Sequence, residues 1–305
     1  MITYRNKDTP IHKFSPLPKL AWVGNIVAMS LLFDSPLYLA ALFLVTLPMV
    51  AAARVWREWA SYMKVGLFLS VLVVVLNTLV NYHGSHVLLE APFSIPALGT
   101  PRITLEAIIS GIGNSLRLLS TISAFSILTL TIHPDDFMQA MLKLKLPYRS
   151  VLVTSLSTRF VPVLAADAER IAEVQRSRGL DSGKGGPWSR IRGSQAVIIP
   201  LLSNSLDRCV QVAEAMEARG FGSGKPGSEF KPLRLQPVDV AALCLIAAAL
   251  GLGIAMRVQG QGAFRYFPTA GGPALSDIAV VMLIGLLMLL SSILPLAVVR
   301  RKLQL

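Results

Sequence analysis

The residues with the clearest functional pattern are two arginine–glycine pairs that close two similar segments. Residues 172–184 (AEVQRSRGLDSGK) and residues 213–225 (AEAMEARGFGSGK) are related by a constant offset of 41, and seven of their thirteen positions are identical. Each copy ends a predicted amphipathic helix with Arg-Gly and then enters a turn rich in glycine and serine. An arginine at such a helix end can make a fork-like contact with carboxylates or backbone carbonyls of a partner.

The two glycines are predicted to end these helices. Gly179 and Gly220 are placed just after the last helical turn, where a left-handed backbone needs a residue without a Cβ. Arg178 and Arg219 then lie in the last turn, where the helix dipole favours a cation by about 0.3–1 kcal/mol. One copy alone is explained as a helix stop. Two copies at a fixed spacing predict two similar ends that contact a partner with two similar halves.

The turns after these helices resemble a phosphate-binding loop without matching it. Three residues, rather than four, separate Gly179 from Gly183-Lys184, and Gly185 and Pro226 stand where Ser or Thr would follow the lysines. Each turn also follows a helix instead of a strand. The sequence therefore predicts no nucleotide site and no cofactor of its own. Because no Ser-His-Asp order or HExxH motif stands out either, it predicts no catalytic residues.

A second cluster with possible chemistry is His83, His86 and Glu90, at spacings of 3 and 4. On a helix these side chains could hold a metal ion. Residues 82–101, however, contain three prolines and two glycines, which predict a loop. A chance cluster is the favoured interpretation, and no metal site is predicted.

The composition places these motifs in a membrane protein. Of 305 residues 53% are hydrophobic and 15% charged, against about 25% charged in a globular domain, and the mean hydropathy is +0.59. These values exclude disordered, collagen-like and disulfide-rich classes. We expect an all-α integral membrane protein with about six transmembrane helices. The six apolar runs are 20–33, 37–53, 65–80, 103–132, 238–256 and 278–299.

The charged residues predict the domains and the topology. An N-terminal membrane domain (1–132) and a C-terminal one (237–305) flank residues 133–236, which hold 15 Lys and Arg and 10 Asp and Glu. With both termini in the cytoplasm, 25 Lys and Arg lie inside and 3 outside, as the positive-inside rule requires. This distribution explains the net charge of +12 without a nucleic-acid partner. We expect a multi-pass protein of the plasma (inner) membrane with a cytoplasmic domain of amphipathic helices between the fourth and fifth spans.

Taken together, these features resemble the transmembrane T component of energy-coupling factor (ECF) transporters, the EcfT/CbiQ family. The resemblance depends on Ser177-Arg178-Gly179 and Ala218-Arg219-Gly220. Further similar segments are His133-Pro134-Asp135-Asp136-Phe137, Leu146-Pro147, Arg159-Phe160-Val161-Pro162, Pro200-Leu201-Leu202 and Ala215-Met216-Glu217. The first signature has Ser177 where the family pattern has Ala, and this small side chain is expected to weaken the fit at most.

The resemblance implies partners and a role. Members of this family bind two cytoplasmic ABC ATPase subunits, and the two Arg-Gly helix ends dock in a groove on each. Their coupling helices also hold a small substrate-binding membrane protein, the S component. ATP-driven movement of the ATPases then moves the S component, which releases a vitamin or a transition-metal ion inside the cell. ATP hydrolysis is expected in the partner subunits, and the S component is expected to select the substrate.

The fourth apolar run carries a stripe of small and polar residues that includes Asn114 and Arg117. Small residues allow close helix contact in lipid, and an arginine within a span seldom faces lipid. The stripe is expected either to pack inside the bundle or to contact the S component.

Two other functions are compatible with these patterns. A membrane scaffold or assembly protein could use the cytoplasmic helix pair to bind a partner that is not an ATPase. A membrane-embedded enzyme would need clustered polar groups within the spans, and the stripe around Arg117 comes nearest to that requirement.

Overall fold

The protein is predominantly helical in a computed structural model. The structure describes residues 9, 11, 15–80, 86–90, 102–144, 147–179, 187–221, 236–260 and 275–304. Within these ranges it contains nine helices and two short strands. They are α1 (Pro16–Leu32), α2 (Pro36–Ala53), α3 (Trp56–Val80), β1 (Val87–Glu90), β2 (Arg102–Thr104), α4 (Leu105–Thr131), α5 (Pro134–Lys143), α6 (Tyr148–Ser177), α7 (Pro187–Ala218), α8 (Pro237–Val258) and α9 (Leu275–Gln304).

The predicted all-α membrane fold is confirmed, and every apolar run of the sequence lies largely within a helix. By length and composition α2, α3, α6 and α8 could each cross a membrane, and α4 with α5 could form a fifth, bent span. The helix α1 and the segment Ile278–Ser292 of α9 are apolar but shorter. The count of six spans therefore stays a prediction. So does the placement of α6 outside the membrane, since this helix also satisfies the criterion.

The stretch predicted as a loop is partly a strand. β1 pairs antiparallel with β2, with Val87 opposite Thr104 and Glu90 opposite Arg102. The helix α4 consequently begins at Leu105, two residues later than the apolar run. Thr104 caps it, because its hydroxyl accepts a hydrogen bond from the Ala107 amide at 3.3 Å. The apolar pattern at residues 103 and 104 could not distinguish this strand end from a helix start.

The chain folds as two compact units. The first contains Met1–Asp136 and Arg234–Leu305, and the second contains Phe137–Leu233. In the first unit α1, α2, α4, α8 and α9 enclose an apolar core. Its fully buried members include Trp22, Ile26, Met29, Leu39, Val50, Ala124, Ala249 and Met288.

The helix α3 packs against α4 through small residues. A Cβ added to Gly111 would lie 3.1 Å from the Val74 Cα, so this glycine lets the two backbones approach closely. Ser115 strengthens the contact by donating a hydrogen bond to the Ser70 carbonyl at 3.0 Å. Much of the rest of α3 is apolar and exposed, including Phe68 and Val71. Such a surface suits contact with lipid.

The second unit contains most of α5 and the two long helices α6 and α7. Both long helices begin after a proline or at one: Pro147 precedes α6, and Pro187 is the first residue of α7. Both helices have charged residues in their C-terminal halves, and these follow apolar stretches that begin near Val151 in α6 and Val197 in α7.

Candidate functional site

The second Arg-Gly helix end is a complete Schellman motif. The Gly220 amide bonds to the Glu217 carbonyl at 2.8 Å, and the Phe221 amide bonds to the Met216 carbonyl at 3.0 Å. Gly220 has φ +77°, the left-handed value predicted for it. Arg219 directly follows Ala218, the last residue of α7, and is the last side chain before the backbone turns away at Gly220; it is exposed.

The first Arg-Gly end has the same local geometry. Gly179 has φ +82° and its amide bonds to the Arg176 carbonyl at 3.0 Å. Arg178 is the C-cap of α6, with its amide bonded to the Val174 carbonyl at 3.2 Å. The predicted left-handed glycines are therefore confirmed in both copies. All six residues of the two signatures are exposed: Ser177, Arg178, Gly179, Ala218, Arg219 and Gly220.

The two ends lie on an antiparallel pair of helices. Asp167 of α6 and Arg208 of α7 form an ion pair at 2.8 Å. Further along α6, Gln175 donates to the Ala196 carbonyl at 3.2 Å. As the residue number rises along α6 from 167 to 175, the number of its contact on α7 falls from 208 to 196, so the two helices are antiparallel. Arg178 and Arg219, each at the C-terminus of its helix, consequently lie toward opposite ends of the pair.

An aromatic contact joins the start of α6 to the residues just after α7. The rings of Tyr148, the first residue of α6, and Phe221, which follows the second Arg-Gly pair, lie 6.3 Å apart between centroids. This contact is in the range of favourable aromatic pairs. It places the Arg219 end beside the start of α6.

The helix pair also presents a broad apolar surface. On α7, Ile198, Ile199, Leu202 and Leu206 are each more than half exposed. On α6, Val153 and Val161 are similarly exposed. Several exposed apolar side chains on one helix pair indicate contact with another protein or with lipid.

Arg117 lies inside the first unit, where it binds the end of α1. Its Nε donates to the Ser30 carbonyl at 2.8 Å, and its Nη2 donates to the Phe33 carbonyl at 3.0 Å. These carbonyls belong to the last turn of α1 and its C-cap, where helix carbonyls lack partners within the helix and the dipole is negative. Asn114, half-buried one turn earlier on α4, accepts a long hydrogen bond of 3.5 Å from Arg117 Nη1.

Two charged residues of this cluster were missed by the sequence analysis. Asp34, in the turn between α1 and α2, pairs with Arg117 at 3.0 Å and with Arg257 of α8 at 2.8 Å. The sequence does mark Asp34 as unusual, because it is a single acidic residue between two apolar runs. Its partners lie 83 and 223 residues away, and no local pattern could identify them.

The predicted histidine cluster and the glycine-rich turns lie mostly outside the described residues. His83 lies outside the described residues, and so do the glycine-rich segments 180–186 and 222–235. The backbone amide of His86 donates to the Glu106 carboxylate at 3.2 Å, so this residue belongs to the β1–α4 corner. Among the side chains that are described, no group of three His, Cys, Asp or Glu residues could hold a metal ion.

The family model and the individual relatives that match this chain agree with one another. The CbiQ family, described as a cobalt transport protein, matches residues 7–229. The energy-coupling factor transporter transmembrane protein EcfT of Bacillus selenitireducens is 28% identical over 256 residues, which cover 80% of this chain and 92% of the relative. EcfT of Bacillus subtilis is 29% identical over 251 residues, covering 79% and 92%. EcfT of Thermotoga maritima is 35% identical over 122 residues, covering 40% and 45%.

Proposed function

The chain belongs to the CbiQ family and is the T component of an ECF transporter, and we propose that it transmits ATP-driven movement from two cytoplasmic ABC ATPases to a substrate-binding S component. In this proposal the ATPases hydrolyse ATP, and this chain transmits their movement to the S component. The helix pair of α6 and α7 transmits the movement, and the membrane helices anchor the chain in the bilayer.

One observation carries this proposal: two equivalent Arg-Gly ends are exposed toward opposite ends of one helix pair. Each arginine follows the last residue of its helix and precedes a left-handed glycine. No further helical turn therefore covers its side chain. A guanidinium in this position can enter a groove and donate to several acceptors at once. Arg178 and Arg219 would each dock on one ATPase, with Ser177 and Ala218 permitting close approach.

The exposed apolar residues of α6 and α7 are the proposed contact for the S component. Exposed leucine, isoleucine and valine side chains on a helix pair suit an apolar partner surface at the membrane boundary. This role accounts for the exposed side chains of Ile199 and Leu202, for which it supplies an apolar contact. It also uses a surface different from the two arginine ends, so both partners can bind at once.

The internal geometry of the first unit supports the proposed topology. Ser15, just before α1, donates to Asp239 in the first turn of α8 at 2.7 Å. At the other end, Asp34 after α1 pairs with Arg257 in the last turn of α8. The helices α1 and α8 therefore run in the same direction, as the first and fifth spans must in a six-span protein. Together with the positive-inside rule, this direction supports cytoplasmic termini.

We further propose that the transported substrate is a vitamin or a transition-metal ion. The family description names cobalt transport. Because the S component would select the substrate, the same chain could serve one S component or several.

The experiment that tests this function is affinity purification of the tagged chain from native membranes in mild detergent, followed by mass spectrometry. Two ABC ATPases, or one in two copies, together with a small membrane protein would support the proposal. Recovery of the chain alone or with unrelated partners, while a control membrane complex survives the same detergent, would contradict it. A non-ATPase partner would favour the scaffold function instead.

A further inference from the structure

The ion pair between Asp167 and Arg208 joins equivalent positions of the internal repeat. Their residue numbers differ by 41, which is also the offset between residues 172–184 and 213–225. Contact between equivalent positions is characteristic of a local two-fold arrangement, in which each half uses the same patch. Equivalent positions of α6 and α7 therefore meet at the contact between Asp167 and Arg208.

The charges at these positions make the contact attractive. Two identical acidic or basic residues would repel each other where equivalent positions meet. Here one copy has Asp and the other has Arg, and the atoms lie 2.8 Å apart. The side chains are only 18% and 34% exposed, so solvent screens this pair less than an ordinary surface ion pair.

The same pair lies at equal distances from the two docking ends. Arg178 follows Asp167 by eleven residues, and Arg219 follows Arg208 by eleven residues. At ~1.5 Å per helical residue, each end is about 16 Å along its own helix from the ion pair. The two halves of the helix pair are thus matched in length around one charged contact.

From these relationships we propose that Asp167 and Arg208 are positioning residues, which fix where α6 and α7 cross and so set the separation of the two Arg-Gly ends. This inference rests on the proposed function, because the separation matters only if two ATPases dock there. Apolar contacts between helices are compatible with neighbouring registers, and a slip by one helical turn would move an end by about 5.4 Å. A directional ion pair selects a single register.

The separation can be measured on the isolated full chain in nanodiscs. Nitroxide labels would be attached at Glu173→Cys and Glu214→Cys, which are equivalent exposed positions in the two copies. Cys209 and Cys244, both exposed and free, would be replaced by serine. Dipolar electron paramagnetic resonance then gives the distance distribution for the parent, for Asp167→Arg, for Arg208→Asp and for the charge-swapped double variant. The matched control is Glu169→Arg, a charge reversal at an exposed position of α6.

We expect each single reversal to broaden the distribution or shift it by about one helical turn, ~5 Å, and the double variant to restore it. In the assembled transporter we expect substrate uptake per ATP hydrolysed to fall about five-fold in the single variants and to recover in the double variant. A purely stabilising role would not change that ratio. Unchanged distances in the single variants, or a folded double variant that does not recover, would overturn the proposal.

The two proposals fail in different ways. The distance measurement needs no partner, so it tests the ion pair even if no ATPase binds. Retained ATPase binding after reversal of both Arg178 and Arg219 would contradict the docking function while leaving the distance result intact. Normal distances in the single charge reversals of the ion pair, together with loss of binding in the arginine variants, would refute the ion-pair role alone.

Discussion

The Nη2 atom of Arg117 lies 3.0 Å from Oδ1 of Asp34, and this pair joins the middle of α4 to the turn between α1 and α2. The other carboxylate oxygen of Asp34 lies 2.8 Å from Arg257 Nη2. One carboxylate therefore links three separate parts of the first unit: α4, α8 and the turn between α1 and α2. An arginine within an apolar helix is acceptable here because its donors meet two carbonyls and a carboxylate.

Replacing Arg117 by leucine is expected to destabilise the first unit. The variant leaves the carbonyls of Ser30 and Phe33 without the Arg117 donor and removes one ion-pair partner of Asp34. Since the side chains of Arg117 and Asp34 are 29% and 38% exposed, we expect a loss of about 1–3 kcal/mol in the free energy of unfolding. Thermal unfolding of the purified chain in detergent measures it.

Asn114→Ala provides the matched comparison, because this residue makes only a 3.5 Å contact with Arg117. We expect a change below about 0.5 kcal/mol. If Arg117→Leu unfolds at the parent temperature but no longer co-purifies with the S component, the arginine serves the partner and not the bundle.

Reversing both docking arginines is expected to abolish transport. In Arg178→Glu with Arg219→Glu, each helix end presents an acid where a guanidinium is proposed to donate, and the acid is also unfavourable at the C-terminal end of the helix dipole. We expect loss of ATPase co-purification and of uptake, with normal membrane insertion. The single reversal Arg176→Glu, at an exposed position on the same turn of α6, should retain both. Normal uptake by the double variant would exclude the docking role.

Substituting Gly179 tests whether the shape of the helix end matters. The residue has φ +82°, and a Cβ there would meet no atom within 4 Å, so the penalty comes from the backbone alone. We expect Gly179→Ala to weaken ATPase binding by about five- to ten-fold, as a strain of about 1 kcal/mol implies. Gly179→Asn, which tolerates the left-handed conformation, should weaken it less. Equal affinities for the two variants in a titration with purified ATPase would contradict this explanation.

Gly111→Ala is expected to destabilise the contact between α3 and α4. The added methyl group would lie 3.1 Å from the Val74 Cα, which is backbone and cannot rotate away. We expect a loss of about 1–3 kcal/mol, typical of overpacking, seen as a lower unfolding temperature in detergent. Gly24→Ala in α1 is the control, because no atom lies within 4 Å of its added Cβ. This control should be neutral or slightly stabilising, since alanine favours helix.

Local features of this protein were predictable from its sequence because they depend on neighbours along the chain. The apolar runs predict the membrane helices, since an apolar segment must form its own backbone hydrogen bonds in lipid. The left-handed conformations of Gly179 and Gly220 also follow from local requirements, because few other residues adopt φ near +80°. The shape of both Arg-Gly ends is thus a property of the residues immediately around them.

Contacts between distant segments were decided only by the tertiary structure. A helical pattern states which face of α4 is polar, but it cannot state that Arg117 meets Asp34 or that Arg257 completes the cluster, because those residues come from separate helices. The same holds for Asp167 and Arg208: the repeat supplied their equivalence, whereas their contact required α6 and α7 to pack antiparallel. The sequence determined what each helix end looks like, and packing between helices determined which charged side chains meet, because pairing depends on distances that chain order does not encode.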